Sequence, residues 1–261
     1  MRAVSLHNHT YRCQHSEGDA CDYADYAAGM GVEVLGMSDH CPLPDRRSRY
    51  MRMGLEEEDG YIGEVMRARA LYPGLKVLLG VECDFLPEHL GFLSRHFTGL
   101  RGYDYACGSV HFVDHGGRRL STHYSIDSPE ALDAYARLVV TSIESGLFDF
   151  ICHPDLFGCS YLLGGPQFRE ASRTICEAGR KRSAVFELNT SGFQKEPVTD
   201  LDGRVRAPYP LDEFWETASE YGIEVLVSSD AHVPALVGDL DPGYAYAERF
   251  GLRLTDMPRL H

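Results

Sequence analysis

Twelve histidines occur among 261 residues. Seven of them, His7, His9, His15, His40, His111, His153 and His232, stand at or just past the ends of short apolar runs. Acids accompany them: Asp39 in Ser38-Asp39-His40, Glu82 in Glu82-Cys83-Asp84, and Asp230 in Ser228-Ser229-Asp230-Ala231-His232. Two groups repeat at a spacing of two. Residues i and i+2 of a strand point the same way, about 6.6–6.8 Å apart at Cα. His7 and His9 therefore project to one side, as do Asp230 and His232 if the strand continues. Two imidazoles so placed can bind one cation, or one each of a close pair. Neutral imidazole and carboxylate suit zinc, manganese or iron, and no ordered thiolate set calls for a softer metal. One histidine after a strand is more often structural than ligating; the joint occurrence of seven with three acids points to a metal centre. His89, His96, His115, His123 and His261 lack that setting and read as ordinary surface or loop residues.

The runs that must position these groups lie at 3–6, 32–37, 76–81, 103–108, 148–152, 184–188 and 223–227. They are almost continuously apolar, as in parallel strands buried on both faces. Amphipathic stretches alternate with them. Ser128-Pro129-Glu130 is a helix start, with a capping Ser, Pro at the first helical position and an acid in the first turn. Leu132, Tyr135, Val139 and Ile143 follow at helical spacing, and Gly146 can close the helix. Leu86, Leu90, Leu93 and Phe97 form a second stripe; Phe214, Ala218 and Tyr221, before Gly222, form a third. Alternating βα units predict a parallel sheet or barrel. The strand-end motifs recur about every 37 residues, near the roughly 31 per unit of an eight-unit barrel, and barrel strands bring their C-terminal ends to one rim. No linker, low-complexity segment or repeat divides the chain, so residues 1–261 read as one domain. Two long connections, 41–59 with Arg46, Arg47, Arg49 and Arg52, and 191–209 with Lys195, Arg204 and Arg206, have the length of lids or binding loops.

Composition narrows the partners. With 25 basic and 39 acidic residues the net charge is −14, which repels nucleic acid, and no basic run offsets it. An anionic substrate would need metals or a few arginines. No run of 18 apolar residues exists to span a membrane, and the start meets His7-Asn8-His9 too early for a signal peptide. A cytoplasmic protein is expected. Its eight cysteines lack a CxxC pair and are expected to be reduced and mostly structural.

His7-Asn8-His9, Cys13-Gln14-His15-Ser16-Glu17-Gly18 and Ser38-Asp39-His40 resemble the opening of the PHP (polymerase and histidinol phosphatase) superfamily. Gly108-Ser109-Val110-His111-Phe112, His153-Pro154-Asp155-Leu156-Phe157, Asn189-Thr190-Ser191-Gly192 and Ser229-Asp230-Ala231-His232 extend the likeness to its stand-alone histidinol-phosphate phosphatases, over nearly the whole chain. The resemblance implies a distorted (βα)7 TIM-like barrel holding two to three divalent ions (zinc, manganese or iron). One ion would take His7, His9, Glu82 and Asp230, a second His15, His40 and His232, and a third Glu82, His111 and His153, with Glu82 bridging. The implied reaction is hydrolysis of a small phosphate monoester, L-histidinol phosphate first, by a metal-bridging hydroxide. Asp230 or Asp39 would orient or relay protons, and Asp39 equally suits a supporting role behind the ligands. Arg52, Arg49 and Lys195 are the candidates for phosphate capture. After Asn-Thr-Ser-Gly the family often shows a basic pair where this chain has Gln194-Lys195. Other phosphoesters (a nucleotide, a phosphotyrosine peptide, a nucleic-acid end) are the alternative substrates, and a metal-binding module without turnover is the alternative of another class.

Overall fold

The computed structural model describes residues 4–97, 102–255 and 257. Eight parallel strands form its main sheet: β1 (Val4–Ser5), β2 (Val34–Met37), β3 (Lys76–Asp84), β4 (Tyr105–Ser109), β7 (Phe150–Ile151), β8 (Val185–Asn189), β11 (Glu224–Ser228) and β12 (Arg253–Leu254), hydrogen-bonded in that order. Two antiparallel hairpins stand apart from it, β5 (Phe112–His115) with β6 (Arg118–Ser121), and β9 (Val198–Thr199) with β10 (Val205–Arg206). The first seven sheet strands fall within or beside the seven apolar runs. β12 and both hairpins were not anticipated. β12 is two residues long, too short for a periodic signal.

The sheet curls until its first strand meets β11. The His9 amide donates to the Ala231 carbonyl at 3.0 Å and the Ala231 amide to the His7 carbonyl at 3.2 Å, an isolated parallel bridge between Asn8 and Ala231. Asn8 reinforces the seam. Its Nδ2 donates to the Gly36 carbonyl at 2.9 Å, and its Oδ1 accepts from Ser229 Oγ at 3.2 Å. Inside the curl, Val4, Leu6, Val34, Leu78, Tyr105, Cys107, Phe150, Cys152, Val185 and Leu226 form a buried apolar floor. Apolar side chains face inward here because the sheet's other face is covered too, by helices.

Those helices are α1 (Ala20–Gly29), α2 (Glu58–Leu71), α3 (Leu90–Arg95), α4 (Pro129–Ser145), α5 (Pro166–Arg182), α6 (Asp212–Glu220) and α7 (Asp241–Phe250). α4 has the ends read from the sequence. Ser128 Oγ accepts from the Ala131 amide at 3.3 Å, and Gly146 closes the helix at φ 66°. The 86–97 stripe makes a 3-10 turn followed by the six-residue α3 rather than one helix. Ala20, Tyr23, Ala27, Tyr61 and Val65 of α1 and α2 pack on Leu35, Met37 and Leu79, while α4 to α7 bury a larger cluster around Phe157, Phe186, Phe214 and Trp215. All eight cysteines are free thiols. Among the described residues no helix is long and apolar enough to cross a membrane.

Candidate metal centre

The strand ends converge as the βα pattern requires. Above the apolar floor, at the C-terminal rim, seven imidazoles form a continuous cluster. Ring centroids lie 4.3 Å apart for His9 and His232, 4.5 Å for His9 and His40, 4.8 Å for His15 and His232, and 5.0 Å for His7 and His9. On the other side His111 and His153 lie 5.1 Å apart.

Glu82, from the end of β3, sits between the two groups. Its Oε2 is 3.5 Å from His7 Nε2, 3.7 Å from His9 Nε2 and 2.7 Å from His40 Nδ1. Its Oε1 is 3.2 Å from His153 Nε2 and 3.6 Å from His111 Nε2. Asp230 Oδ1 lies 3.0 Å from His9 Nε2 and 3.5 Å from His7 Nε2. Two donors each about 2.1 Å from one tetrahedral cation are about 3.4 Å from each other, so the spacings of His7, His9, Glu82 and Asp230 match a shared ion. His7 Nε2, His9 Nε2, Glu82 Oε2 and Asp230 Oδ1 are all buried, and none makes a hydrogen bond. Orphaned polar atoms are costly in an interior; here they face one another, an arrangement that a shared cation would satisfy. Ligand atoms of His9, His40 and His232 likewise lie within 4.8 Å of one another.

The far sides of the rings fix which nitrogen carries the lone pair. His7 Nδ1 pairs with Glu187 Oε1 at 2.7 Å, His15 Nδ1 with the Cys13 carbonyl at 2.7 Å, His111 Nδ1 with Asp84 Oδ1 at 2.9 Å, and His232 Nδ1 with the Asp230 carbonyl at 2.9 Å. A proton held on Nδ1 leaves Nε2 free to ligate. Asp39 stands behind His9, 3.7 Å from its Nδ1, and accepts from the Thr10 amide and hydroxyl and from the His40 amide. His153 and Asp230 both adopt positive φ, 29° and 48°. Such left-handed backbone costs of order 1–3 kcal/mol at a non-glycine residue and gathers at functional sites.

Charge coupling is strong throughout. Burial alone would lower the pKa of His9, but the nearby carboxylates of Asp230 and Asp39 raise it to about 9. His7 is opposed by burial and raised by Glu187, Asp230 and Glu82. His40 falls to about 4 and His232 to about 3, through burial and, against Glu82 and Asp230 respectively, the neighbouring His9. Burial would raise Glu82, yet His40, His111 and His7 hold it well below the carboxylate range. Carboxylates kept ionised beside imidazoles suit cation binding.

The basic candidates are placed differently. Arg52 is fully buried: its guanidinium pairs with Asp84 and donates to the Cys41 carbonyl at 2.9 Å, so it backs His111 through Asp84. Arg49 is partly exposed and paired with Glu56 at 2.8 Å and Glu57 at 3.4 Å. Lys195 is exposed, its Nζ 5.9 Å from the Tyr209 ring centre. Two histidines taken as ordinary are not. His96 is buried against Glu58 at 2.5 Å, and His123 lies beside His111 with near-parallel rings 5.8 Å apart. His261 lies outside the described residues. Glu187 and Asp84 were visible only as acids at strand ends, Asp84 two residues after Glu82, and that spacing does not separate a ligand from a residue standing behind one.

Fold and cluster together define a class: a curled parallel α/β sheet carrying a histidine–carboxylate centre at its strand C-termini. The model of the family described as PHP domain matches residues 5–191, and the chain belongs to that family. It is 32% identical over 248 residues to a Deinococcus radiodurans protein named "Probable histidinol-phosphatase", across 89% of this chain and 87% of that one. A Schizosaccharomyces pombe protein of the same name is 24% identical, across 90% and 82%. The fold is also that of histidinol phosphate phosphatase from Lactococcus lactis, solved with zinc, L-histidinol and phosphate: TM-score 0.72 at 15% identity, covering 96% of this chain and 94% of that one.

Proposed function

We propose that the protein is a metal-dependent phosphatase that hydrolyses L-histidinol phosphate to L-histidinol and phosphate. The observation that carries this reading is the set of four buried, hydrogen-bond-free ligand atoms of His7, His9, Glu82 and Asp230 facing one another, in a chain of the PHP family with histidinol-phosphatase relatives. These four residues would hold one divalent ion, His15, His40 and His232 a second, and Glu82, His111 and His153 a third. The donor set suits zinc, manganese or iron. Divalent ions here would lower the pKa of bound water from 15.7 to about 7 and neutralise phosphoryl oxygens.

The chain's own residues do the rest. Glu187 holds the His7 ring and Asp84 the His111 ring by hydrogen bonds, each keeping a ligand at its angle, while the Asp39 carboxylate stands 3.7 Å behind the His9 ring. We assign Asp39 to that positioning role. Asp230, among the ligands and hydrogen-bonded by Asn189 Nδ2 at 3.1 Å, is the carboxylate best placed to orient the attacking water. Lys195, on the second long loop, is a candidate phosphate contact; Arg49 is paired with Glu56 and Glu57, and Arg52 acts through Asp84. In the same reading the sheet is a distorted (βα)7 barrel with β12 as an added edge strand. Free thiols accord with a cytoplasmic enzyme.

Purified protein should carry two to three equivalents of divalent metal and release phosphate from L-histidinol phosphate. His9→Ala or His232→Ala should remove most activity while leaving the fold intact by circular dichroism. Full turnover by chelated, metal-free protein would refute the reading.

A further inference from the structure

The segment between β6 and α4 is fastened to the centre. The Thr122 amide donates to the His111 carbonyl at 2.8 Å, and Thr122 Oγ1 donates to the Val110 carbonyl at 2.8 Å. Ser160 Oγ donates to the Thr122 carbonyl at 2.7 Å and accepts from the Ile126 amide at 3.0 Å. With Thr122 and Ile126 both buried, the residue after Thr122 has a defined place. That residue is His123. Its ring lies 11° from parallel with the His111 ring, and burial falls outward from His111, through half-buried His123, to Tyr124, which is 85% exposed. His123 is thus at the mouth, beside the His111 and His153 side of the cluster. Among the described residues neither of its ring nitrogens has a hydrogen-bond partner.

Lys195 is near enough for its charge to bear on His123. The other basic candidates are engaged: Arg52 by Asp84, Arg49 by Glu56 and Glu57. An anion arriving at this acidic protein from the His111 and His153 side therefore meets His123. A neutral imidazole always carries one N–H, so donation to a phosphoryl oxygen needs no change of protonation.

We propose that His123 is a phosphoryl-contacting residue, donating an N–H to an outward oxygen of the phosphate monoester. The assignment rests on the phosphatase reading above. It places the contact on the phosphoryl group rather than on the alcohol half, because His123 stacks on the cluster and Tyr124 lies farther out.

The test uses metal-loaded wild type, His123→Phe, which keeps a ring over His111 without an N–H, and His123→Gln, which restores an N–H. Calorimetry with inorganic phosphate and kcat/KM for L-histidinol phosphate are read together with metal content. A hydrogen bond to a charged group predicts that His123→Phe weakens phosphate binding and lowers kcat/KM by about 10- to 100-fold, at unchanged metal content, and that His123→Gln recovers much of both. Phosphate binding within about twofold of wild type in His123→Phe would overturn the proposal, even if kcat/KM falls, since the contact would then be to the alcohol half. Loss of metal in His123→Phe would overturn it as well, by making His123 a support for His111. Should wild type bind phosphate but not turn over L-histidinol phosphate, the substrate reading fails while the calorimetric comparison still decides His123.

Discussion

At the scale of single residues, the centre depends on groups that never touch a cation. Glu187 accepts from His7 Nδ1 at 2.7 Å, from the His153 amide at 3.0 Å and from Asn189 Nδ2 at 3.1 Å. Glu187→Ala strands three buried donors and frees the His7 ring. Metal affinity, read by competition with a chelator, should fall about 10- to 100-fold. Stability should drop by roughly 2–4 kcal/mol in urea titration; wild-type metal retention would show that Glu187 only fills space. Arg52→Ala leaves Asp84 as an uncompensated buried charge, with an expected cost of about 3–5 kcal/mol. It should spare phosphate affinity in whatever fraction stays folded, the opposite of a capture residue. The nine proposed ligands could be picked out in the chain because they follow apolar runs and fall in the motifs that resemble the PHP superfamily. Glu187, Asp84 and His123 could not. Their roles exist only through contacts made across strands, as between Glu187 and His7, 180 residues apart.

At the scale of elements, the floor beneath the centre is set by one tyrosine. Tyr105, on β4, reaches across the curl to donate its hydroxyl to the Leu6 carbonyl at 2.5 Å. Its ring fills a slot that two neighbouring strands leave open with glycine. A Cβ at Gly36 would lie 2.2 Å from the Tyr105 hydroxyl, and one at Gly80 would lie 2.1 Å from the ring. Gly80→Ala must therefore displace the ring, with an expected loss of about 1–3 kcal/mol or more, whereas Tyr105→Phe should lose only about 1 kcal/mol. Chemical denaturation of the two variants checks the order, and equal costs would contradict the strut. The seven apolar runs were visible because strands buried on both faces have an unbroken apolar composition. Likewise α4 was visible from Ser128 and Gly146, whose chemistry is local. The β5–β6 and β9–β10 hairpins were not: their strands, such as Arg118-Arg119-Leu120-Ser121, are short and polar, and tertiary contacts decide them.

At the scale of the whole molecule, the proposed site concentrates a stability cost that a cation removes. Without metal, two imidazoles and two carboxylates are buried against one another with four facing atoms outside any hydrogen bond, and two backbone positions are strained. Divalent ions at about 1,000 times their Kd would add roughly 4 kcal/mol per independent site, worth on the order of 10 °C in melting midpoint for a chain of this size. The gap between loaded and chelated protein should also depend on pH with a definite sign. In the chelated protein His9 holds a proton to about pH 9, while in the unfolded chain it releases it near 6.5. The fold then binds more protons than the unfolded state across that window, so chelated protein loses stability as pH rises from 6.5 to 9, by up to about 3 kcal/mol from this one group. In the loaded protein cations displace those protons, and rising pH strengthens their hold instead. The difference in melting midpoint should therefore widen steadily from pH 6.5 to 9. A gap that stays constant or narrows over that range would mean the cluster's protons and the cations do not compete for the same nitrogens.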